Sequence, residues 1–154
     1  MKSLKSSPNK ISIDSSVILS YYLGEELGEK AKILLFQKLE LKFYITLNGL
    51  TEIFYILGRT LGFETAKNKL DILINTNILR IESSTELISF AGSYKCTRAI
   101  SLSDSFVIGL AKFIKGAAIF VKKEAELDRE INKAPFDVQL FFLKDLNIEN
   151  FIEE

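Results

Sequence analysis

Apolar residues along this chain follow two alternating rhythms. Short alternating or continuous apolar runs give way to longer stretches in which apolar residues return every three or four positions, as strands and amphipathic helices require. Residues 10–13 alternate polar and apolar and predict a first strand, and residues 15–23 a helix stopped by Gly24. Residues 25–41 predict a second helix, with Leu27, Ala31, Leu34, Leu35 and Leu39 at helical spacing, and residues 43–46 a second strand. A helix over 50–61 shows a broad apolar face and is broken by Gly62, after which 64–74 starts the next. Residues 78–81 read as a short strand, and a helix near 85–94 follows, with Ser83 and Glu86 spaced as a capping box. Residues 104–114 are helical and end at Gly116, and 117–121 form a wholly apolar strand of the kind found inside parallel sheets. A short helix over 124–131, a last strand over 138–143 and an acidic, partly helical tail from Lys144 complete the pattern. Strands separated by helices argue for βαβ units and an α/β domain, a central parallel sheet covered on both faces.

The expected organisation is a flexible N-terminus at 1–9, one domain over 10–146 and an acidic tail at 147–154. No apolar stretch reaches transmembrane length, and the polar start of the chain has no secretory apolar segment, so a cytoplasmic protein without a membrane partner is expected. Composition then narrows the chemistry. There is no His and a single Cys, Cys96, which removes Ser-His-Asp and Cys-His catalysis, Cys/His zinc sites and an internal disulfide. Cys96 itself reads as a buried small hydrophobe. Lys plus Arg (20) balance Asp plus Glu (20), so the chain lacks the basic excess of a dedicated duplex-DNA binder. Any active site must rest on carboxylates, lysine, arginine or hydroxyls, and converging carboxylates select a hard cation such as Mg²⁺ or Mn²⁺.

Ligands of open parallel sheets bind beyond the carboxyl ends of the strands, where strand order reverses. Four regions deliver acids to such places: Asp14 directly after the first strand, Glu52 after the second, Asp104 opening the helix before the apolar strand, and Glu124 with Glu126 after that strand. Each has a plain structural reading as well. Asp14 can cap a helix, Asp104 can complete a capping box with Ser101, and the glutamates can lie on solvated faces. Their surroundings speak against that alone. Glu52 lies among Leu50, Ile53, Phe54 and Ile56, and Asp104 beside Leu102, Phe106 and Val107, with no matching set of embedded cations. Partly buried carboxylates need a partner, and a divalent cation would be one.

The motifs in chain order resemble those of the PIN domain. Ile11-Ser12-Ile13-Asp14-Ser15-Ser16 resembles its opening strand and Asp-x-Ser motif, Leu50-Thr51-Glu52-Ile53 its second acidic motif, and Leu102-Ser103-Asp104-Ser105-Phe106 its third. Val121-Lys122-Lys123-Glu124-Ala125-Glu126-Leu127 occupies the place of the fourth, where Lys122-Lys123-Glu124 replaces the usual Thr-Gly-Asp. The resemblance spans about residues 10–146. It implies a three-layer α/β/α fold and a metal-dependent ribonuclease, the toxin of a VapBC-type toxin–antitoxin pair. It further implies catalytic, metal-site acids Asp14, Glu52 and Asp104, with Glu124 or Glu126 as the fourth and Asp128 a more distant choice. Ser16 would position the metal or its water, and Mg²⁺ or Mn²⁺ would be the cofactor. Lys95, Arg98, Lys122 and Lys123 are candidates for holding RNA phosphates. The implied partners are a single-stranded or looped RNA substrate, a cognate antitoxin and a second copy of the chain.

Two other classes compete. A PIN-fold module that only binds a partner fits the altered fourth motif. A receiver-like signalling domain would also place acids at strand ends, yet it wants adjacent acids at the first strand's end, where this chain has Asp14 followed by Ser15-Ser16. A nucleotide-binding fold lacks its glycine-rich loop here.

Overall fold

The computed structural model describes residues 9–148. The segments 1–8 and 149–154, which hold most of the expected flexible N-terminus and acidic tail, lie outside the described residues. The elements run in the order β1 (Lys10–Ile13), α1 (Ser15–Tyr22), α2 (Gly28–Gln37), β2 (Lys42–Thr46), α3 (Leu47–Leu61), α4 (Phe63–Asn75), β3 (Leu79–Glu82), α5 (Leu87–Thr97), α6 (Leu102–Phe113), β4 (Ala117–Phe120), α7 (Ala125–Lys133) and β5 (Gln139–Phe142). A 3₁₀ turn over Leu143–Asp145 follows. All five strands pair in parallel in the order β3-β2-β1-β4-β5. That order excludes a receiver domain, whose sheet runs 2-1-3-4-5. The connections step outward from β1 on one side through β2 and β3, then cross back to β4 and step outward again to β5. Strand order therefore reverses between β1 and β4.

Strand register sorts the side chains into two cores. Ile11 and Ile13 are level with Ala117 and Ile119, and with Phe43 on the neighbouring strand, and this face packs against α1–α4. Ala118, Phe120 and Phe142 point the other way and pack with Tyr94, Ile100, Val107 and Leu127 of the second helical layer. Ser12 shares that second face. The alternation over 10–13 suggests a solvated side, yet Ser12 is buried and donates its hydroxyl to the main-chain oxygen of Val107 at 2.7 Å. A small, satisfied hydroxyl lets α6 lie close on β1. Leu146 and Ile148 are also buried in the first core, so packing reaches slightly past the expected boundary at 146.

Several expectations are corrected. The second helix is shorter than 25–41: residues 25–27 turn after α1, with Glu25 N–H bonded to Ser20 O, and the helix ends at Gln37. The helix expected from residue 50 begins at Leu47, because Thr46 Oγ1 accepts from Gly49 N–H at 3.0 Å as its cap. The Ser83–Glu86 capping box does not form. Instead Ser84 Oγ accepts from Glu86 N–H, and Glu86 itself stands at the N-cap of α5 without a side-chain cap bond. Cys96 is exposed rather than buried, since α5 buries the face carrying Leu87, Ala91 and Tyr94, and Cys96 falls outside it. Among the described residues no helix is long and apolar enough to cross a membrane.

Candidate active site

Asp14 ends β1 and caps α1, with extended backbone angles and its carboxylate turned back onto the first helical turn. Ser16 N–H donates to Asp14 Oδ2 at 3.1 Å, and Ser16 Oγ donates to the same oxygen in a short contact. Main-chain bonding fixes the position: Asp14 N–H reaches Ile119 O at 2.9 Å, and Val121 N–H reaches Ser16 Oγ at 3.4 Å. The cap role and the site role of Asp14 thus coexist. Both hydrogen bonds fall on Oδ2, and Oδ1 has no hydrogen-bond partner among the described residues. The side chain is nonetheless nine-tenths buried. Burial pushes its pKa up from 3.8 to about 6 against the pull of the Ser16 bonds, and the charges of Asp104 and Glu52 add to the rise.

Asp104 lies in the first turn of α6, where Ser101 Oγ accepts from its N–H at 3.0 Å. Half of the expected capping box is therefore formed. Burial raises the Asp104 pKa, opposed by the Ser101 contact, and Glu126, Glu52 and Glu124 push it in the same direction in that order of weight. Glu52, half-buried on α3, accepts a hydrogen bond from Ser103 Oγ at 3.0 Å. No Lys or Arg among the described residues forms an ion pair with Asp14, Glu52 or Asp104.

Asp14 and Asp104 border a cleft of about 270 Å³ beyond the ends of β1 and β4, at the reversal point of the sheet. Asp14, Ser16, Asp104, Lys122 and Glu124 line it, together with Glu25 from the turn after α1. Among the described residues no three acids are gathered tightly enough to enclose one ion by themselves. A larger hollow of about 850 Å³ runs along the free edge of β5 and is walled mainly by the apolar residues of that strand and the loop before it.

No protein-family model and no curated protein gives a significant match to this sequence. Solved structures do match in shape. VapC20 of Mycobacterium tuberculosis, described as a sarcin-ricin loop cleaving toxin, superposes with a TM-score of 0.61 at 15% identity over 78% of this chain and 93% of its own. VapBC-1 from nontypeable Haemophilus influenzae gives 0.61 at 13% identity over 88% and 98%. VapBC2 from Rickettsia felis, solved with a DNA fragment from its promoter, gives 0.58 at 15% identity over 85% and 96%. The chain has the PIN fold of the VapC toxins.

On this PIN fold the sequence-predicted residues divide into two groups. Asp14, Ser16, Asp104, Lys122 and Glu124 meet in the cleft, and Glu52 and Glu126 reach it through their charge on Asp104. Lys95 and Arg98 do not line it. Lys95 Nζ donates to Ile100 O, and Arg98 donates to the main-chain oxygens of Glu130, Ala134 and Pro135 while lying 4.3 Å from the Phe136 ring centroid. Glu130 O also accepts from Ala134 N–H, and the oxygens of Ala134 and Pro135 lie past the helix end, where the guanidinium supplies donors the helix does not. Lys123 pairs with Asp128 at 3.2 Å, and neither residue lines the cleft. Glu25 and Ser103 carry no motif signal. The first is recognisable only once the turn after α1 is seen, and the second only by its adjacency to Asp104.

Proposed function

We propose that this chain is a divalent-metal-dependent ribonuclease that hydrolyses RNA phosphodiester bonds, acting as the toxin of a VapBC-like toxin–antitoxin pair in the cytoplasm. The observation that carries the reading is Asp14: a nine-tenths buried carboxylate with one oxygen unpaired and no ion pair among the described residues, in a cleft it shares with Asp104. The fold it shares with a toxin described as cleaving the sarcin-ricin loop supports the choice of RNA.

The donor set fits Mg²⁺ or Mn²⁺. It consists of hard oxygen ligands, and Mg²⁺ keeps several waters and takes only one or two carboxylates directly, so a close-packed trio of acids is not required. Asp14 and Asp104 are assigned as the direct ligands, with Glu52, Glu126 and Glu124 acting at longer range. When bound, the ion would supply positive charge for the phosphate and a lowered pKa for water. The protein's own groups do the positioning. Ser16 locks Oδ2 of Asp14 and leaves Oδ1 for the ion. Ser103 holds Oε2 of Glu52, and Glu52 Oε1 is assigned as the acceptor that receives, through intervening solvent, the proton released as water adds to phosphorus. The P–O ester bond then breaks, and the leaving oxygen takes a proton from solvent and ends as a hydroxyl. Single-stranded or looped RNA suits the open cleft better than A-form duplex, which hides its base edges.

Exposed apolar side chains on the α3–α4 hairpin, with Phe63 62% and Ile72 53% exposed, favour protein partners there, an antitoxin and a second copy of the chain. The comparison structures include toxin–antitoxin complexes. A binding-only PIN module remains as a second reading, favoured by the absence of a close acid trio among the described residues.

The test is RNA cleavage by the purified chain with Mg²⁺ or Mn²⁺, with EDTA, and with Asp14→Asn or Asp104→Asn. Cleavage is expected to need metal and to fall about 100-fold or more in either variant, at least about 2.7 kcal/mol of transition-state stabilisation. Cleavage that survives EDTA or both substitutions would refute the assignment, and metal-independent partner binding without turnover would favour the second reading.

A further inference from the structure

Lys122 stands where the motif order places the fourth acidic motif, and the structure puts it on the wall of the acid cleft. Among the described residues lining that cleft it is the sole cation, in a wall that also holds Asp14, Asp104, Glu124 and Glu25. Its ammonium lies 3.7 Å from Glu124 Oε1, and its side chain is 61% exposed. That is a loose ion pair at an accessible rim, weakly held and free to exchange one oxyanion for another. The neighbouring lysine is committed elsewhere. Lys123 pairs with Asp128 at 3.2 Å and lies over the Phe142 ring, 5.8 Å from its centroid. The two adjacent lysines therefore have different tasks, and only one of them belongs to the cleft.

Charge arithmetic gives Lys122 its meaning. A group of acids that draws in phosphate must be neutralised, either by two divalent ions or by one ion and a fixed cation. Glu124 is the acid of the cleft that this ammonium reaches, at 3.7 Å. We propose that Lys122 is a built-in counter-cation of the cleft: its Nζ balances Glu124 and contacts the scissile phosphate, so that the site takes one divalent ion rather than a pair. This rests on the nuclease reading above and concerns how that same site is charged.

The test counts metal. Full-length protein stripped of divalent ions is titrated with Mn²⁺ and the bound ion counted by electron paramagnetic resonance, for the wild type, Lys122→Gln and Lys122→Arg. The side chain is exposed, so folding is expected to survive, and circular dichroism checks it. The expected result is one Mn²⁺ per chain in the wild type and in Lys122→Arg, and two in Lys122→Gln. RNA cleavage in parallel should fall about tenfold in Lys122→Gln and be largely restored in Lys122→Arg. Any other stoichiometry overturns the proposal, including two ions in the wild type or one in all three proteins. The two readings fail separately: a wild type that cleaves RNA with Mn²⁺ but binds two ions sinks only the lysine assignment, whereas one that binds no Mn²⁺ and cleaves nothing sinks the nuclease itself.

Discussion

Ser103 and Glu52 meet across two helices that are far apart in sequence, and their hydrogen bond is the only side-chain contact fixing the Glu52 carboxylate among the described residues. A half-buried glutamate has three torsions to arrest, and one well-placed donor removes much of that freedom. If Glu52 acts on the attacking water, Ser103→Ala should lower kcat about tenfold, roughly 1.4 kcal/mol, with KM little changed. Ser103→Thr keeps the hydroxyl and should restore most of the rate. A purely structural bond of about 1 kcal/mol would instead appear as a melting temperature lower by about 2–4 °C. Steady-state kinetics beside thermal melts of both variants decide it: a lower melting point with unchanged kcat would remove Ser103 from the mechanism. The sequence places Ser103 next to Asp104 but does not show its bond to Glu52, because that depends on α3 and α6 lying side by side. Asp14 is different. Its place after a strand and before Ser15-Ser16 is visible in the chain, and the cap it forms is the same contact that aims it.

At the scale of elements, α5 and α6 form a close pair, and two glycines separate packing from propensity. A Cβ added at Gly109 would lie 2.7 Å from Ala91 N and 2.9 Å from Ala91 Cα, so main chain meets main chain and one helix must move. A Cβ at Gly92, within α5, meets nothing within 4 Å. Gly109→Ala should cost about 1–3 kcal/mol through overpacking. Gly92→Ala should stabilise by about 0.5–1 kcal/mol, because alanine loses less backbone freedom in a helix. Urea unfolding midpoints measure both, and equal shifts of the same sign would mean that the helices are not in contact at Gly109. The elements themselves were largely legible because the sheet is parallel and buried: β4 announces itself as an apolar run after a helix stopped by Gly116, and β1 as an alternation that ends at Asp14. Boundaries failed where a local bond outweighs periodicity. Asn48-Gly49 carries turn chemistry, yet Thr46 caps straight through it and α3 begins early. Residues 25–27 continue the helical spacing of α2, yet the bond from Glu25 N–H to Ser20 O turns them into a loop and brings Glu25 to the cleft.

For the whole molecule, the zero net charge conceals a separation. Outside the cleft, several cations meet anions or carbonyls: Lys112 with Asp137 at 2.6 Å, Lys133 with Glu130 at 2.6 Å, Lys123 with Asp128, and Arg98 on the end of α7. Inside it, Asp14 and Asp104 have no such partner. Sequence order alone could nominate the acids, but only the 3-2-1-4-5 sheet brings Asp14 beside Glu124, and only packing shows Arg98 withdrawn from the site. This separation should be measurable as a pH dependence. The folded state raises the Asp14 pKa from 3.8 to about 6, so it favours the protonated form. The resulting stability is complete below pH 3.8 and is lost as pH rises through about 6, a change on the order of 3 kcal/mol. Burial of Asp104 shifts its pKa the same way and adds to the loss. Asp137 and Glu130 are held below their ordinary values by Lys112 and Lys133, so their opposite contributions change in more acidic solution and are settled by pH 5. In EDTA the protein should therefore melt several degrees lower at pH 7.5 than at pH 5, about 2–4 °C for each kcal/mol. Millimolar Mg²⁺ should recover most of the difference at pH 7.5 and little at pH 5, where protons already occupy the site. Asp14→Asn should raise the metal-free melting temperature at pH 7.5 and flatten its pH dependence, while abolishing cleavage. Scanning calorimetry of the two proteins at both pH values, with and without Mg²⁺, would sink this account if stability in EDTA were flat or rising from pH 5 to 7.5. The same holds if Mg²⁺ moved the wild type and Asp14→Asn equally, because the ion would then be binding somewhere other than the cleft that Asp14 anchors.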